Sequence, residues 1–349
     1  MTRPALLVPP KCRPGDQVAV VSPSWAGPGY FPDVHETGMR VLREELDLIP
    51  VEYPTTRRPD STPEDRAADL VAAFADPQIT AVLATIGGDD ELTVLPYLDP
   101  GAMTATPKAF FGYSDNTNLL NWLWNLGIVG YHGGSTLVHL ARGGGPHPVS
   151  LESLRRALFT SGEYDLEPQP EFTDLHADWA DPATLVNALP MTPDPGWTWH
   201  GASTAVTGPT WGGNLEMLHW NLAVGRWIRP VEDYAGCILL LETSEEMPTA
   251  EEVFRMLRNA GERGLLAQFP AIVVAKPKAW DRDRDETPEQ RTAYRDAQRE
   301  AVLRALGRYA PDAMVVIGPD FGHTDPQYVL PYGGQMTVDG PARRISYAV

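Results

Sequence analysis

Four short segments hold the side chains that could do chemistry. In "FFGYSDN" an apolar run stops at Gly112, and Ser114 stands at the corner where a helical pattern begins. In "TIGGDD" Gly87 and Gly88 follow a run of β-branched and small residues. Glu242 ends an uncharged stretch, 236–241, and His323 follows the apolar run and Gly-rich turn of "VVIGPDFG". A hydroxyl, paired glycines, a carboxylate and an imidazole are the parts of nucleophilic acyl transfer. Serine needs a base for its proton and donors for the oxyanion. A tight strand-to-helix corner exposes the side chain and aims the next N–H, that of Asp115, at the same space. The N–H of Gly88 would be the second donor. A carboxylate after so apolar a strand is costly unless partnered, and orienting a histidine would partner it.

Each signal has a plainer reading when taken alone. A serine at a helix start is commonly an N-cap, and paired glycines can be only a turn. The elbow pattern G-x-S-x-G is here G-Y-S-D-N, with Asn116 in the last place. His132 is a weaker competitor for the base. His35, His147, His176 and His200 read as surface or loop residues, and His139 and His219 fall in helical patterns. Glu245 and Glu246 read as the acidic first turn of the following helix.

The elements that must position these groups alternate. Strand patterns over 16–24, 79–90, 236–242, 269–277 and 313–323 are separated by helical periodicity over 33–46, 66–77, 249–264 and 288–310. The strands lack polar alternation, which predicts an α/β chain with a parallel sheet covered on both faces. In such sheets reactive groups gather beyond the carboxyl ends of the strands, where all four segments lie. Residues 161–205 are rich in proline and tryptophan and read as a linker or covering loop. We expect an N-terminal domain over 1–160 carrying the nucleophile, and a C-terminal domain over 206–349 carrying the carboxylate and histidine.

Composition narrows the partners. The formal net charge of -18 repels phosphate backbones and anionic lipids, which predicts no nucleic-acid and no membrane partner. Two cysteines, Cys12 and Cys237, stand far apart and read as buried thiols of a reducing compartment. No apolar run is long enough to span a bilayer, so a cytoplasmic location is expected. The sequence has no zinc spacing and no G-x-x-x-x-G-K-[ST] motif, and no metal or cofactor is expected. The acidic run "DRDRDE" over 281–286 carries Glu286 where a calcium loop needs glycine, and it reads as a solvated loop.

In order, "RPGDQVAVVSPS", "ATIGGDDELTVLPYLD", "FFGYSDNTNLL", "GPTWGGNLEML", "LLLETSEEMPTAEEVFRML" and "GPDFGHTDPQYVLPYGGQ" resemble the LD-carboxypeptidase family of serine peptidases, which includes the microcin C immunity hydrolases. The resemblance implies a Ser-Glu-His triad on Ser114, Glu242 and His323, with oxyanion donors at Gly88 and Asp115. It places Gly87, Gly213 and Asn214 against substrate. It also implies a flavodoxin-like N-terminal domain, a smaller mixed α/β C-terminal domain, and a homodimer. The implied substrate is a small one: a murein-derived peptide cut at an L,D-amide, or an aminoacyl-nucleotide conjugate. Members acting on nucleotide conjugates carry a basic residue in the loop after the triad glutamate. Here that loop reads Thr243, Ser244, Glu245, Glu246. An indole of Trp197 or Trp199 could stack on a base, or both could simply pack.

Overall fold

Two sheets with parallel centres organise the computed structural model, which describes residues 5–281, 284 and 286–349. The acidic run at 281–286 therefore lies in part outside the described residues. Across the first sheet the strands run in the order Leu330–Tyr332, Gly130–His132, Ala109–Gly112, Ile79–Ala84, Gln17–Val21, Ile49–Glu52. All pair in parallel except Leu330–Tyr332, which runs antiparallel to Gly130–His132. The five parallel strands follow the flavodoxin-like order, with the topological switch between Gln17–Val21 and Ile79–Ala84. The central strands are apolar on both faces because helices cover both.

The second sheet has a parallel centre of Ala205–Asn214, Ile238–Glu242, Ala271–Val274 and Met314–Ile317. Its flanks are antiparallel, with Gln335–Asp339, Arg344–Ala348 and Glu163–Leu166 on one side and Thr198–His200 on the other. Asn214 lies opposite Glu242 in register, at the carboxyl end of both strands.

The segment 161–205, read as a linker or cover, contributes both edge strands of this sheet. Its strands are short and broken by proline, which edge positions tolerate and which hides them from periodicity. Lys276 ties the segment down by pairing with Asp194 and with Asp320 at 2.6 Å, and its ammonium lies 4.2 Å from the Phe172 ring centre. The chain past 206 also sends Leu330–Tyr332 into the first sheet.

One apolar core runs between the sheets. Trp124, on the helix Thr117–Asn125, stacks on Tyr234 at 5.4 Å. Trp211 stacks on Phe269 at 5.8 Å and donates its indole N–H to Asn121 at 3.0 Å. Such a dry aromatic ladder fixes the separation of the two strand ends that face each other across the cleft. Cys12 and Cys237 are both buried thiols. Among the described residues no helix is long and apolar enough to cross a membrane.

Candidate active site

The first wall of the cleft is built around Ser114. The strand Ala109–Gly112 ends, Tyr113 is extended, and Ser114 turns the chain at φ 61° into a short helical turn and then the helix Thr117–Asn125. A positive φ is costly for serine and persists only where the surroundings enforce it. No side-chain cap bonds the start of either helical piece, so Ser114 is not an N-cap. A Cβ at Gly87 would stand 2.8 Å from Ser114 Cβ, 3.0 Å from its Oγ and 3.3 Å from the Asp115 nitrogen. Glycine at 87 is therefore what lets the preceding loop lie against the hydroxyl. At Gly88 a Cβ would collide with Ser24 Oγ.

The side chain of Asp115 staples these parts together. It accepts hydrogen bonds from Ser24 Oγ, from the N–H of Asp90 at 2.9 Å, from the N–H of Glu91 at 2.8 Å and from Asn118 Nδ2 at 2.8 Å. Burial pushes this carboxyl above its usual range despite those donors. Arg66 completes the support, donating to the Ser24 carbonyl at 2.6 Å and pairing with Asp90 at 2.5 Å. Among the described residues, the N–H groups of Gly88 and Asp115 donate to no protein acceptor.

The second wall comes from the other sheet. Glu242 ends its strand at 1% exposure, and its Oε2 lies 2.5 Å from Nδ1 of His323. The imidazole sits beside the elbow, with its ring centre 4.9 Å from that of Tyr113. Its other nitrogen, Nε2, is 2.9 Å from Glu245 Oε2. Burial alone would lower the His323 pKa, but the charges of Glu242 and Glu245 overcome it and raise it to about 10. Burial likewise works against the Glu245 charge, and His323 and Lys278 hold that carboxyl well below its usual range. Two further buried imidazoles, His132 and His139, are pushed down by burial to about 4. His132 therefore sits as a neutral neighbour of His323.

Ser114, Gly87, Gly88, His323, Glu245 and Lys278 line one cleft of about 280 Å³. Glu242 stands behind His323. Gly213 and Asn214 are not among the lining residues. At φ 99° Gly213 packs against Thr117 Oγ1, 2.7 Å from where its Cβ would be. Asn214 caps the helix Leu215–Val224, accepting from the Met217 N–H at 3.0 Å, while its Nδ2 is buried without a partner.

Several placements differ from expectation. Glu245 is not in a first helical turn: that helix is Ala250–Glu262, capped by a Thr249–Glu252 box. The indoles on the cleft are Trp25 and Trp179, whereas Trp197 and Trp199 pack, partly buried, against a separate apolar cluster that includes Val273 and Val316. His35 is fully buried, 3.3 Å from Glu52, and His176 lines the cleft beside Trp179. Lys278 is 7% exposed and had no local pattern to mark it, since the sequence around it reads as the end of a strand.

A strained hydroxyl, unfilled backbone donors and a carboxylate-backed imidazole form a set suited to attack on a carbonyl carbon. Comparison with known proteins agrees with that class. The family model described as the LD-carboxypeptidase N-terminal domain matches residues 18–133, and that of the C-terminal domain matches residues 207–338. The chain belongs to the LD-carboxypeptidase family. A provisionally named carboxypeptidase of Vibrio cholerae is 28% identical over 341 residues, covering 93% of this chain and 92% of the relative. The microcin C7 self-immunity protein MccF of Escherichia coli is 28% identical over 296 residues, covering 82% and 78%. A solved MccF-like protein from Streptococcus pneumoniae, in complex with AMP, superposes with a TM-score of 0.83 at 26% identity, covering 95% of this chain and 98% of that one.

Proposed function

We propose that this chain is a serine carboxypeptidase that cleaves an L,D-amide at the end of a small murein-derived peptide through an acyl-enzyme. The observation that carries this reading is Ser114 at φ 61° in the same cleft as the His323–Glu242 pair. Ser114 Oγ attacks the carbonyl carbon and its proton passes to His323 Nε2. The oxyanion takes the open N–H groups of Gly88 and Asp115. Collapse breaks the C–N bond, and Nε2 returns the proton to the departing amine. Water then attacks the ester, giving its proton to Nε2, and Ser114 leaves as the hydroxyl. Glu242 stabilises the imidazolium in both halves.

A second reading, hydrolysis of aminoacyl-nucleotide conjugates, is favoured by the cleft's aromatic rim. Trp25 stacks with Tyr30 at 5.5 Å, and Trp179 meets Phe31 edge-on at 5.4 Å. Such faces suit a nucleobase, and the pneumococcal relative holds AMP. A fluorophosphonate probe tests the shared mechanism: labelling should vanish in Ser114→Ala, with turnover down about 10³-fold or more. Labelling that persists in that variant removes Ser114 from the chemistry. Turnover of an L-Lys-D-Ala tetrapeptide against aspartyl sulfamoyl adenosine decides between the substrates.

A further inference from the structure

The chain's own carboxylate occupies the place beside the imidazole. Among the described residues no hydrogen bond joins Ser114 to His323; Nε2 lies 2.9 Å from Glu245 Oε2 without hydrogen-bonding to it. An anion of the substrate that comes beside Nε2 needs the place of that carboxylate, so Glu245 has to give way to it. Its side chain is 58% exposed, so no packing blocks a swing into water, and what the swing gives up is its pairing with His323 and Lys278, which an incoming anion would restore. Its backbone stays put, because Ser244 donates from N–H and Oγ to the buried Glu216 at 2.9 and 2.7 Å.

What Glu245 leaves behind is a buried lysine. Lys278 lines the same cleft at 7% exposure; burial lowers its pKa and the Glu245 charge opposes that, so an anion taking the place of Glu245 would keep its ammonium charged. Among the described residues, the other acids that act on it are engaged elsewhere: Asp174 by Arg291 at 3.0 Å and Arg295 at 2.7 Å, and Asp281 by Arg284 at 3.3 Å. When an amide is cut one residue from a chain end, the leaving nitrogen and the terminal carboxylate are two bonds apart. A carboxylate so placed would lie near Nε2, where the Glu245 carboxylate lies now. In a phosphoramidate the anionic group is bonded to the leaving nitrogen directly.

We propose that Lys278 recognises the anionic group next to the leaving nitrogen of the substrate, and that Glu245 holds that place in the free enzyme. The proposal rests on the hydrolase reading above. It makes Lys278 the residue that restricts cleavage to substrate ends, with Glu245 as an internal competitor. A peptide lacking a terminal charge neither displaces Glu245 nor pairs with Lys278.

The test compares a tetrapeptide ending in a free acid with the same peptide amidated, and includes an aminoacyl phosphoramidate of adenosine. Lys278→Gln should raise KM for the free acid about 10–100-fold with kcat changed far less, and should erase the preference over the amide. Lys278→Arg should keep the preference. Glu245→Gln, at an exposed position that does not threaten folding, should lower KM for the acid several-fold. If the phosphoramidate alone responds, the anion is a phosphoryl group and not a carboxylate. An acid-over-amide preference that survives Lys278→Gln overturns the proposal, as does an unchanged KM in Glu245→Gln. Failure of the hydrolase reading looks different, because no substrate would then turn over. In that case calorimetric binding of D-alanine and of inorganic phosphate still decides, since the proposal requires that Glu245→Gln tighten the binding of at least one and Lys278→Gln weaken it.

Discussion

The two walls of the cleft are held by different physics. The Ser114 wall is a lattice of short hydrogen bonds from two backbone N–H groups, the Ser24 hydroxyl and the Asn118 amide onto one carboxylate, Asp115, with glycines where the loop must lie against Ser114 and Ser24. The His323 wall is a chain of long, charged side chains, Glu242 to His323 to Glu245, with Lys278 beyond. The first arrangement fixes positions, and the second sets a protonation state. A nucleophile and its oxyanion donors are useful only within a few tenths of an ångström, whereas a base has to gain and lose a proton twice per turnover. The division teaches where to expect rigidity and where to expect response to pH or ligand. Substitutions on the first wall should damage geometry, and those on the second should shift titrations.

Glu242→Gln is the strongest challenge. The amide can still hydrogen-bond Nδ1, so folding should be nearly intact. It cannot stabilise imidazolium, and turnover should fall about 10²–10⁴-fold. Equilibrium denaturation beside kcat would check this. Wild-type turnover would show that the second wall has no part in the chemistry.

Gly88→Ala tests the first wall. The added methyl collides with Ser24 Oγ and pushes the loop from its place. A kcat loss of about 10²–10³-fold is expected, the cost typical of one oxyanion donor, with KM little changed. A substitution confined to geometry should leave the pH profile where it was. Movement of that profile would mean that the walls are not independent.

Asp115→Asn should act more mildly and on the same side. An amide has one acceptor oxygen for donors that now share two, so at least one buried N–H or hydroxyl loses its partner. Stability should drop by about 1–3 kcal/mol, and turnover by about tenfold as the glycine loop loosens. Thermal unfolding and single-turnover rates would separate the two effects.

How far these walls could be read from sequence follows from the same contrast. Ser114, Gly87 and Gly88 were legible because strain and close approach demand particular residue types at particular corners. Glu242 was legible because a charge closing an apolar strand needs a partner. The parallel centre of each sheet showed in runs such as "ILLLE" and "AIVV", apolar on both faces. Glu245 was misread, although the Thr249–Glu252 capping box in "TAEE" already marked the helix start and left Glu245 in the loop. Lys278 and Trp179 gave no local sign, because their meaning lies wholly in what faces them across the cleft. The edge strands inside 161–205 were hidden by prolines, and their pairing with Arg344–Ala348 and Met314–Ile317 spans more than a hundred residues.

The smallest expected effect tests the second wall most directly. His323 is faced by Glu242 at the end of the strand Ile238–Glu242, by Glu245 from the loop that follows, by Tyr113 from the elbow, and by the buried His132 and His139. Burial lowers its pKa, and the two carboxylates raise it to about 10. Only neutral imidazole accepts the proton of Ser114, so the rate should climb with pH through the neutral and alkaline range, as the acid limb of kcat/KM reports the free enzyme. Glu245→Gln removes one raising charge, so the limb should move to lower pH and the rate at pH 7 should rise several-fold. Stability carries the same sign in reverse. A folded pKa raised above about 6.5 contributes stability that is complete below that pH and disappears as pH climbs through about 10. The variant should therefore lose less stability than the parent between pH 6.5 and 10. Denaturant midpoints at the two ends of that window measure the difference. Equal losses in both proteins would mean that Glu245 does not hold the imidazole charged, and the contrast between a rigid wall and a titrating wall would have to be redrawn around Glu242 alone.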